Sequence, residues 1–277
     1  MPDHAGPLTA RSGRVAKARR LADRQVRSQS RRFLAEGPQA VREALAHPSL
    51  VVEVFAAERP SDVVRGLRQA ADAAGVAWTE VGEDVIRVVA DTVTPQGVVA
   101  VCRFLDRPLA EVLDAGPRLL TVGIDVRDPG NAGTLLRCAD AAGCDAVVLA
   151  GRGVDPYNPK AVRASAGSLF HLPVIVSPDV PGTLAAVRAA GLRLLAADAA
   201  AATDLDAVDR QGLLAGPTAW LFGNEAHGLD PELVAVADAA VSVPLYGRAE
   251  SLNLVAAAAV CLYASARAQS LTAGGAA

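Results

Sequence analysis

Short apolar runs bounded by loop residues alternate along this chain with longer stretches of helical pattern. Phe33–Gly37, Val51–Ala56, Val76–Val81 and Gly97–Cys102 predict strands, and Pro38–Ala46 and Asp62–Ala74 predict helices between them. The stretch holding them, residues 30–103, is about 75 residues long, enough for a small α/β domain. Phe104–Pro117 predicts a linker (104–117). Strands are then expected at Leu119–Asp125, Ala146–Leu149, Val174–Val176, Arg193–Ala197, Ala219–Phe222 and Ala240–Pro244. Helices are expected at Gly133–Ala142, Lys160–Leu169, Gly182–Ala190, Pro231–Val236 and Leu254–Ala268. Alternating strands and helices imply a largely parallel sheet covered on both faces. The fold class is therefore α/β, with a second domain over 118–277. There is no internal repeat and no low-complexity segment beyond alanine enrichment.

Length and composition narrow the picture. At 277 residues and 51% hydrophobic, the chain can bury a full core in one large or two modest domains. No unbroken apolar run approaches ~18 residues, so no membrane span is expected. Met1-Pro-Asp-His4 lacks the basic-then-apolar order of a signal peptide, and the expected location is cytoplasmic. Cys102, Cys138, Cys144 and Cys261 lie in apolar surroundings without Cys-x-x-Cys spacing, which predicts buried free thiols in a reducing compartment. His4, His47, His171 and His227 make no ligand-like spacing, so no metal is expected.

The net charge of −3 does not advertise a nucleic-acid binder. Its distribution does. Arg11, Arg14, Lys17, Arg19, Arg20, Arg24, Arg27, Arg31 and Arg32 stand against Asp23 alone. Residues 1–29 read as a basic, poorly ordered extension, part helical, suited to phosphate backbones; a merely solvated tail is the alternative. Arg31, Arg32, Lys160 and Arg163 are the candidate nucleic-acid contacts.

Three loops carry the candidate chemistry. Asp125-Val-Arg-Asp-Pro-Gly-Asn-Ala-Gly-Thr-Leu-Leu-Arg137 follows a strand and opens a helix, where backbone N–H groups favour anions. It is neither a Walker loop nor a dinucleotide fingerprint. Asn131 would serve as a helix cap, and Arg137 would pair with Asp140 three residues on. Gly223-Asn-Glu-Ala-His-Gly228 follows a second buried strand; Gly223 would let a ligand approach the backbone, and Glu225 would orient loop amides. Tyr246–Asn253 leads into the last helix, with Ser251 as its expected cap and Asn253 inside its first turn. Loops at the carboxyl ends of α/β strands are where such sheets bind ligands.

Together the loops resemble the TrmH/SpoU branch of the SPOUT class, the RNA ribose 2′-O-methyltransferases. Asn131, Gly133 and Arg137 match its Asn-x-Gly-x-x-x-Arg motif. Phe222, Gly223, Glu225 and Gly228 match its second motif, and Pro244, Ser251, Leu252 and Asn253 its third. No core motif position departs from the pattern. The resemblance covers about 118–268 firmly. It extends more loosely over 30–103, where Arg32–Gly37 and Asp91–Val99 are similar to a substrate-binding domain of ribosomal-protein L30e type.

The resemblance implies a SPOUT α/β domain with a C-terminal trefoil knot, and a homodimer whose active site draws on both chains. It implies S-adenosylmethionine as cofactor, held by Gly223, Val243, Leu245 and Leu252, with no metal. Asn131, Arg137, Glu225, Ser251 and Asn253 would be the catalytic set, Glu225 bracing the second loop. The implied substrate is RNA: large-subunit (23S) ribosomal RNA best fits the two-domain form, with tRNA the alternative. A non-catalytic RNA-binding protein and a nucleotide-using small-molecule enzyme are the rival classes. Cofactor binding and RNA dependence discriminate them.

Overall fold

The computed structural model describes residues 8–274. The chain opens with α1 (Gly13–Arg19) and α2 (Arg24–Ser30). It continues through β1 (Arg32–Glu36), α3 (Pro38–Leu45), β2 (Val51–Ala57), α4 (Asp62–Ala73), β3 (Trp78–Val81), α5 (Glu83–Val89) and β4 (Val98–Arg103). Next come α6 (Leu109–Asp114), β5 (Leu119–Ile124), α7 (Pro129–Ala141), β6 (Ala146–Ala150), α8 (Pro159–Ala164), β7 (Val174–Ser177) and α9 (Val180–Ala189). The chain closes with β8 (Arg193–Ala197), α10 (Leu205–Arg210), β9 (Thr218–Phe222), α11 (Pro231–Ala235), β10 (Ala239–Val241) and α12 (Leu254–Gly274).

These elements form two compact units. The first holds the chain up to Leu105 together with Asp155–Phe170; the second holds Asp106–Val154 and His171 onward. The sequence expectation placed residues 155–170 wholly in the second domain. Instead α8 packs on β1, and Tyr157 and Phe170 pack as tilted rings around Phe33 at centroid distances of 4.9 and 6.0 Å.

The first unit is a sheet of order β1-β4-β2-β3, antiparallel except for the β2–β3 pair. The basic stretch before it is not the poorly ordered extension expected from its charge, although Met1–Pro7 lie outside the described residues. Val15, Ala18 and Leu21 are buried in one core with Leu34, Phe55, Ile86 and Val99. Their spacing, 15, 18 and 21, puts them on one face, and that apolar stripe outweighs the repulsion among the charges around it. Arg27 is itself buried. Its guanidinium donates to Asp155 at 2.8 Å and to the Leu21 and Ala22 carbonyls at 2.9 and 2.7 Å. Arg14 is engaged by Glu53 and Thr79. Part of the basic run is thus internal structure.

The second unit is a six-stranded parallel sheet of order β10-β8-β9-β5-β6-β7. Its core gathers Leu120, Val122, Val148, Leu194 and Leu221 between the helices, which is why these strands read as continuous apolar runs. The chain runs outward from β5 to β7, then returns so that β9 inserts between β8 and β5. The strand order therefore reverses beside β5 and β9, and such a switch point opens a crevice at the carboxyl ends. The stretch read as a linker contains α6, whose Val112 joins this core.

By length and composition alone, Leu254–Leu271 is apolar enough to cross a membrane, with mean hydropathy 1.3. In the structure it is a packed helix. Val255, Ala258, Cys261, Leu262 and Ser265 are buried on one side, facing α7 and β9, and the Trp220 indole N–H donates to Ser265 Oγ at 2.8 Å. All four cysteines are free thiols, three buried and Cys138 half-buried. Burial pushes Cys144 and Cys261 up to about 12, so neither is a nucleophile at neutral pH.

Candidate active site in the second unit

The first loop leaves β5 through a strained turn. Asp125 has a φ of 51°, a left-handed conformation that costs a non-glycine residue free energy. Hydrogen bonds hold it there: its carboxylate accepts from the Arg152 amide at 2.6 Å, and its carbonyl accepts from the Asn224 carboxamide at 2.9 Å. Asp128, not Asn131, caps α7, accepting from the Asn131 amide at 2.9 Å, with Pro129 at the first helical position. Asn131 sits inside the first turn, so its side chain is available for other partners.

The second loop closes on itself. Asn224 and Gly228 exchange backbone hydrogen bonds of 2.9 and 2.8 Å. A Cβ on Gly223 would collide with the Gly228 carbonyl and the Leu229 amide. Glycine at 223 is therefore required by the loop's own crossing, whereas the sequence suggested approach of a ligand. Glu225 projects from this loop onto the first one. Its carboxylate accepts from the amides of Arg127 at 3.1 Å and Asp128 at 3.0 Å, and from Asn131 Nδ2 at 3.1 Å. Partial burial works against the charge, but donation from its own loop amide, Arg127, Asn131 and Asp128 outweighs it, and the Glu225 pKa is lowered.

The third loop joins the same network. Asn253 Oδ1 accepts from the Val255 amide at 2.9 Å, and Asn253 Nδ2 donates to Asn131 Oδ1 at 3.4 Å. Asn253 is thus the cap of α12, the role the spacing gave to Ser251. A chain of polar contacts runs Asn253–Asn131–Glu225 and ends on the amides of the first loop. It links all three loops through one carboxylate.

Beside this network lies a cleft of about 380 Å3, bordered by Gly223, Glu225, Val243, Leu245, Ser251 and Leu252. The structure thus brings together every residue expected to hold cofactor. Such a volume falls at the small end of ligand pockets, and an apolar lining with few polar groups is their usual character. Ala197–Ala200, at the carboxyl end of β8, also line it. Sequence reasoning missed them. The available signal was Asp198, an acid placed directly after the apolar run Leu194–Ala197. Asn224, which ties the second loop to Asp125, was missed as well, its motif position being one that varies.

The remaining expected residues lie elsewhere. Arg137 is exposed on α7 and makes no hydrogen bond or ion pair among the described residues. Its expected partner Asp140 instead meets His171 Nδ1 at 2.7 Å. Arg137 makes no hydrogen bond to Asn253, Asn131 or Glu225. Of the candidate RNA contacts, all in the first unit, Arg31 lies over the Phe104 ring at 4.5 Å, Arg32 opens β1, and Lys160 is exposed at the start of α8. Arg163 donates to Glu36 at 3.2 Å and Asp91 at 3.5 Å, so two carboxylates already engage its charge.

Comparison with known proteins places this arrangement. Residues 118–263 match the SpoU rRNA Methylase family, and residues 13–100 match the MRM3-like substrate binding domain.

The chain belongs to the SpoU family.

The 23S rRNA (guanosine(2553)-2'-O)-methyltransferase RlmP of Bacillus subtilis is 33% identical over 258 residues, covering 92% of this chain and 96% of that protein. A 23S rRNA (guanosine-2'-O-)-methyltransferase RlmB from Ralstonia nicotianae is 32% identical, covering 87% and 98%. Among solved structures, the AdoMet-bound rRNA methyltransferase of Sinorhizobium meliloti superposes with a TM-score of 0.81 at 31% identity, covering 95% and 97%. The SpoU methyltransferase AviRb of Streptomyces viridochromogenes with AdoMet gives the same TM-score at 29% identity, covering 94% and 100%. This chain is accordingly a SPOUT α/β methyltransferase of the SpoU rRNA Methylase family. The substrate-binding match begins at residue 13, within the basic stretch.

Proposed function

We propose that this SpoU-family chain methylates a ribose 2′-hydroxyl of large-subunit ribosomal RNA. The observation that carries the reading is the Asn253–Asn131–Glu225 chain, which fastens the three motif loops beside a cleft of cofactor size. S-adenosylmethionine would lie along Gly223, Val243, Leu245 and Leu252, with apolar side chains on the base and main-chain groups at its edge. When bound, it supplies a methyl group activated by the adjacent sulfonium.

The chain's own residues then have distinct tasks. Glu225 keeps the first two loops in register, so less ordering is needed on binding. Asn131 and Asn253 fix the third loop, and Ser251 borders the cleft. Attack by a weakly acidic hydroxyl requires alignment and a route for its proton. A guanidinium is a planar cation and a poor base, so Arg137 acts as a clamp on the neighbouring phosphate and the hydroxyl; phosphate or water takes the proton. Because Arg137 neither lines this cleft nor hydrogen-bonds to the loop network, the active site is assigned across a homodimer, one protomer's Arg137 serving its partner's cleft. A trefoil knot through the second and third loops completes the assignment.

The test is transfer of labelled methyl from S-adenosylmethionine to deproteinised ribosomal RNA, with digestion to nucleosides. Label recovered as a 2′-O-methylnucleoside is the expected result. Label on a base, or cofactor binding without any transfer, would contradict the reading.

A further inference from the structure

The first unit contains a separate cleft of about 290 Å3, between the start of α3 and the segment joining α5 to β4. Its floor is the Glu36 carboxylate, whose side chain is 4% exposed. One oxygen accepts from the Asp91 amide at 2.9 Å and the other from Arg163 Nη1 at 3.2 Å. Ala40, Ala90, Pro95 and Val98 form apolar walls. Gln39, Thr92, Thr94 and Gln96 stand at the mouth. The side chains of Thr92, Thr94 and Gln96 make no hydrogen bond to any other described residue. Gly37 leaves room for one of them: a Cβ there would lie 2.7 Å from Gln96 Oε1.

The charge pattern decides between ligands. A phosphate needs an excess of positive charge, but Arg163 here faces Glu36 and Asp91, so the floor carries no such excess. An apolar slot with neutral amides and hydroxyls at its rim suits a flat heterocycle, its face against the wall and its edge hydrogen-bonded. Unstacked bases of single-stranded RNA are read by hydrogen bonds at their edges while their faces pack on protein; here the packing face is aliphatic, and Gln and Thr both donate to and accept from base edges. We propose that this cleft receives one unstacked nucleobase of the RNA substrate, distinct from the nucleotide that is methylated. Arg163 and Ala166 come from the segment matched to the methylase family, so the pocket is assembled from both sequence modules.

The proposal rests on the reading of the chain as an RNA methyltransferase. Its test keeps the two separable. Full-length protein is bound to deproteinised 23S rRNA across a salt series, as wild type and as the double variant Gln96→Ala, Thr94→Val. Neither side chain is buried, and thermal melting checks that the fold is kept. The variant should bind about tenfold more weakly, with an unchanged salt slope, because no phosphate contact is lost. Ultraviolet cross-linking with mass spectrometry should also yield a nucleotide adduct on the wild-type peptide spanning residues 92–96. Wild-type affinity in the double variant, or loss of affinity together with a shallower slope, would overturn the nucleobase assignment. So would displacement of the RNA by free nucleoside monophosphates at micromolar concentration, which would make the cleft a mononucleotide site. A wild-type chain that binds no ribosomal RNA at all would instead strike at the proposed function itself.

Discussion

Glu225 holds the loops by accepting hydrogen bonds, so its worth depends on its charge. Glu225→Ala leaves the Arg127 and Asp128 amides without this partner and should reduce cofactor affinity at least tenfold in calorimetry. Glu225→Gln keeps one acceptor oxygen and should fall between. The pH dependence has a definite sign. A carboxylate whose folded pKa is lowered contributes stability that is fully present above its ordinary value of 4.5 and is lost as pH falls through the lowered value. Wild type should therefore lose stability relative to the Glu225→Gln variant below about pH 4.5, measured by denaturant titration. Glu36 runs the other way: burial raises its pKa despite the Asp91 amide and Arg163, so its ionisation costs stability as pH rises above 4.5. Gly223 offers no clean probe of cofactor binding, because any side chain meets Gly228. Gly223→Ala should lower the melting temperature as well as the affinity. Arg137 is the better discriminator. Arg137→Ala should abolish methyl transfer with cofactor affinity nearly unchanged, losing about 1.5–3 kcal/mol from a charge-assisted phosphate contact plus its alignment. Arg137→Lys should also be poor, since a point charge lacks the planar fork. Near-normal turnover in the Lys variant would contradict the clamp.

Among the elements, the basic helices show how charge misleads. Arg27 lies in a run of arginines, and nothing local distinguishes it; its partner Asp155 is 128 residues away. Arg27→Ala leaves a partly buried carboxylate unpaired and should cost about 3–5 kcal/mol of stability. Arg19→Ala, on the exposed face, should cost almost nothing and act only on RNA affinity. Equal destabilisation by both would contradict the burial of Arg27. The parallel strands were legible because burial on both faces makes them uniformly apolar. The motif loops were legible through their joint resemblance to the TrmH/SpoU motifs; spacing alone left each open to a capping or surface role. The short helices α5, α6 and α10 were not. Each spans two turns or fewer, too short a window for a helical period to emerge, although Asp204 capping the Ala207 amide was a usable sign. Caps were misread for a related reason: Asp128 and Asn131, or Ser251 and Asn253, are equally good candidates until the backbone fixes where the first turn begins. The partners of Glu225 are likewise about a hundred residues away, beyond any local pattern.

At the scale of the whole molecule, the division of the chain differs from the order of its sequence. Residues 155–170 return to the first unit, so the units are joined by chain crossings after Leu105, Val154 and Phe170. Deleting residues 1–103 would strip Tyr157 and Phe170 of Phe33 and leave Asp155 without Arg27. The fragment 104–277 should therefore be less stable than the full chain and prone to aggregate, checked by light scattering on heating. A soluble, cooperatively melting fragment would show that this segment is dispensable for the second unit. The central claim is ribose methylation of large-subunit ribosomal RNA, and the most direct measurement maps 2′-O-methyl groups across 23S rRNA from cells with and without the protein. The account predicts one position methylated only when the protein is present, and lost again with Arg137→Ala. Identical 23S maps in the two strains, with the difference appearing in tRNA or nowhere, would contradict it.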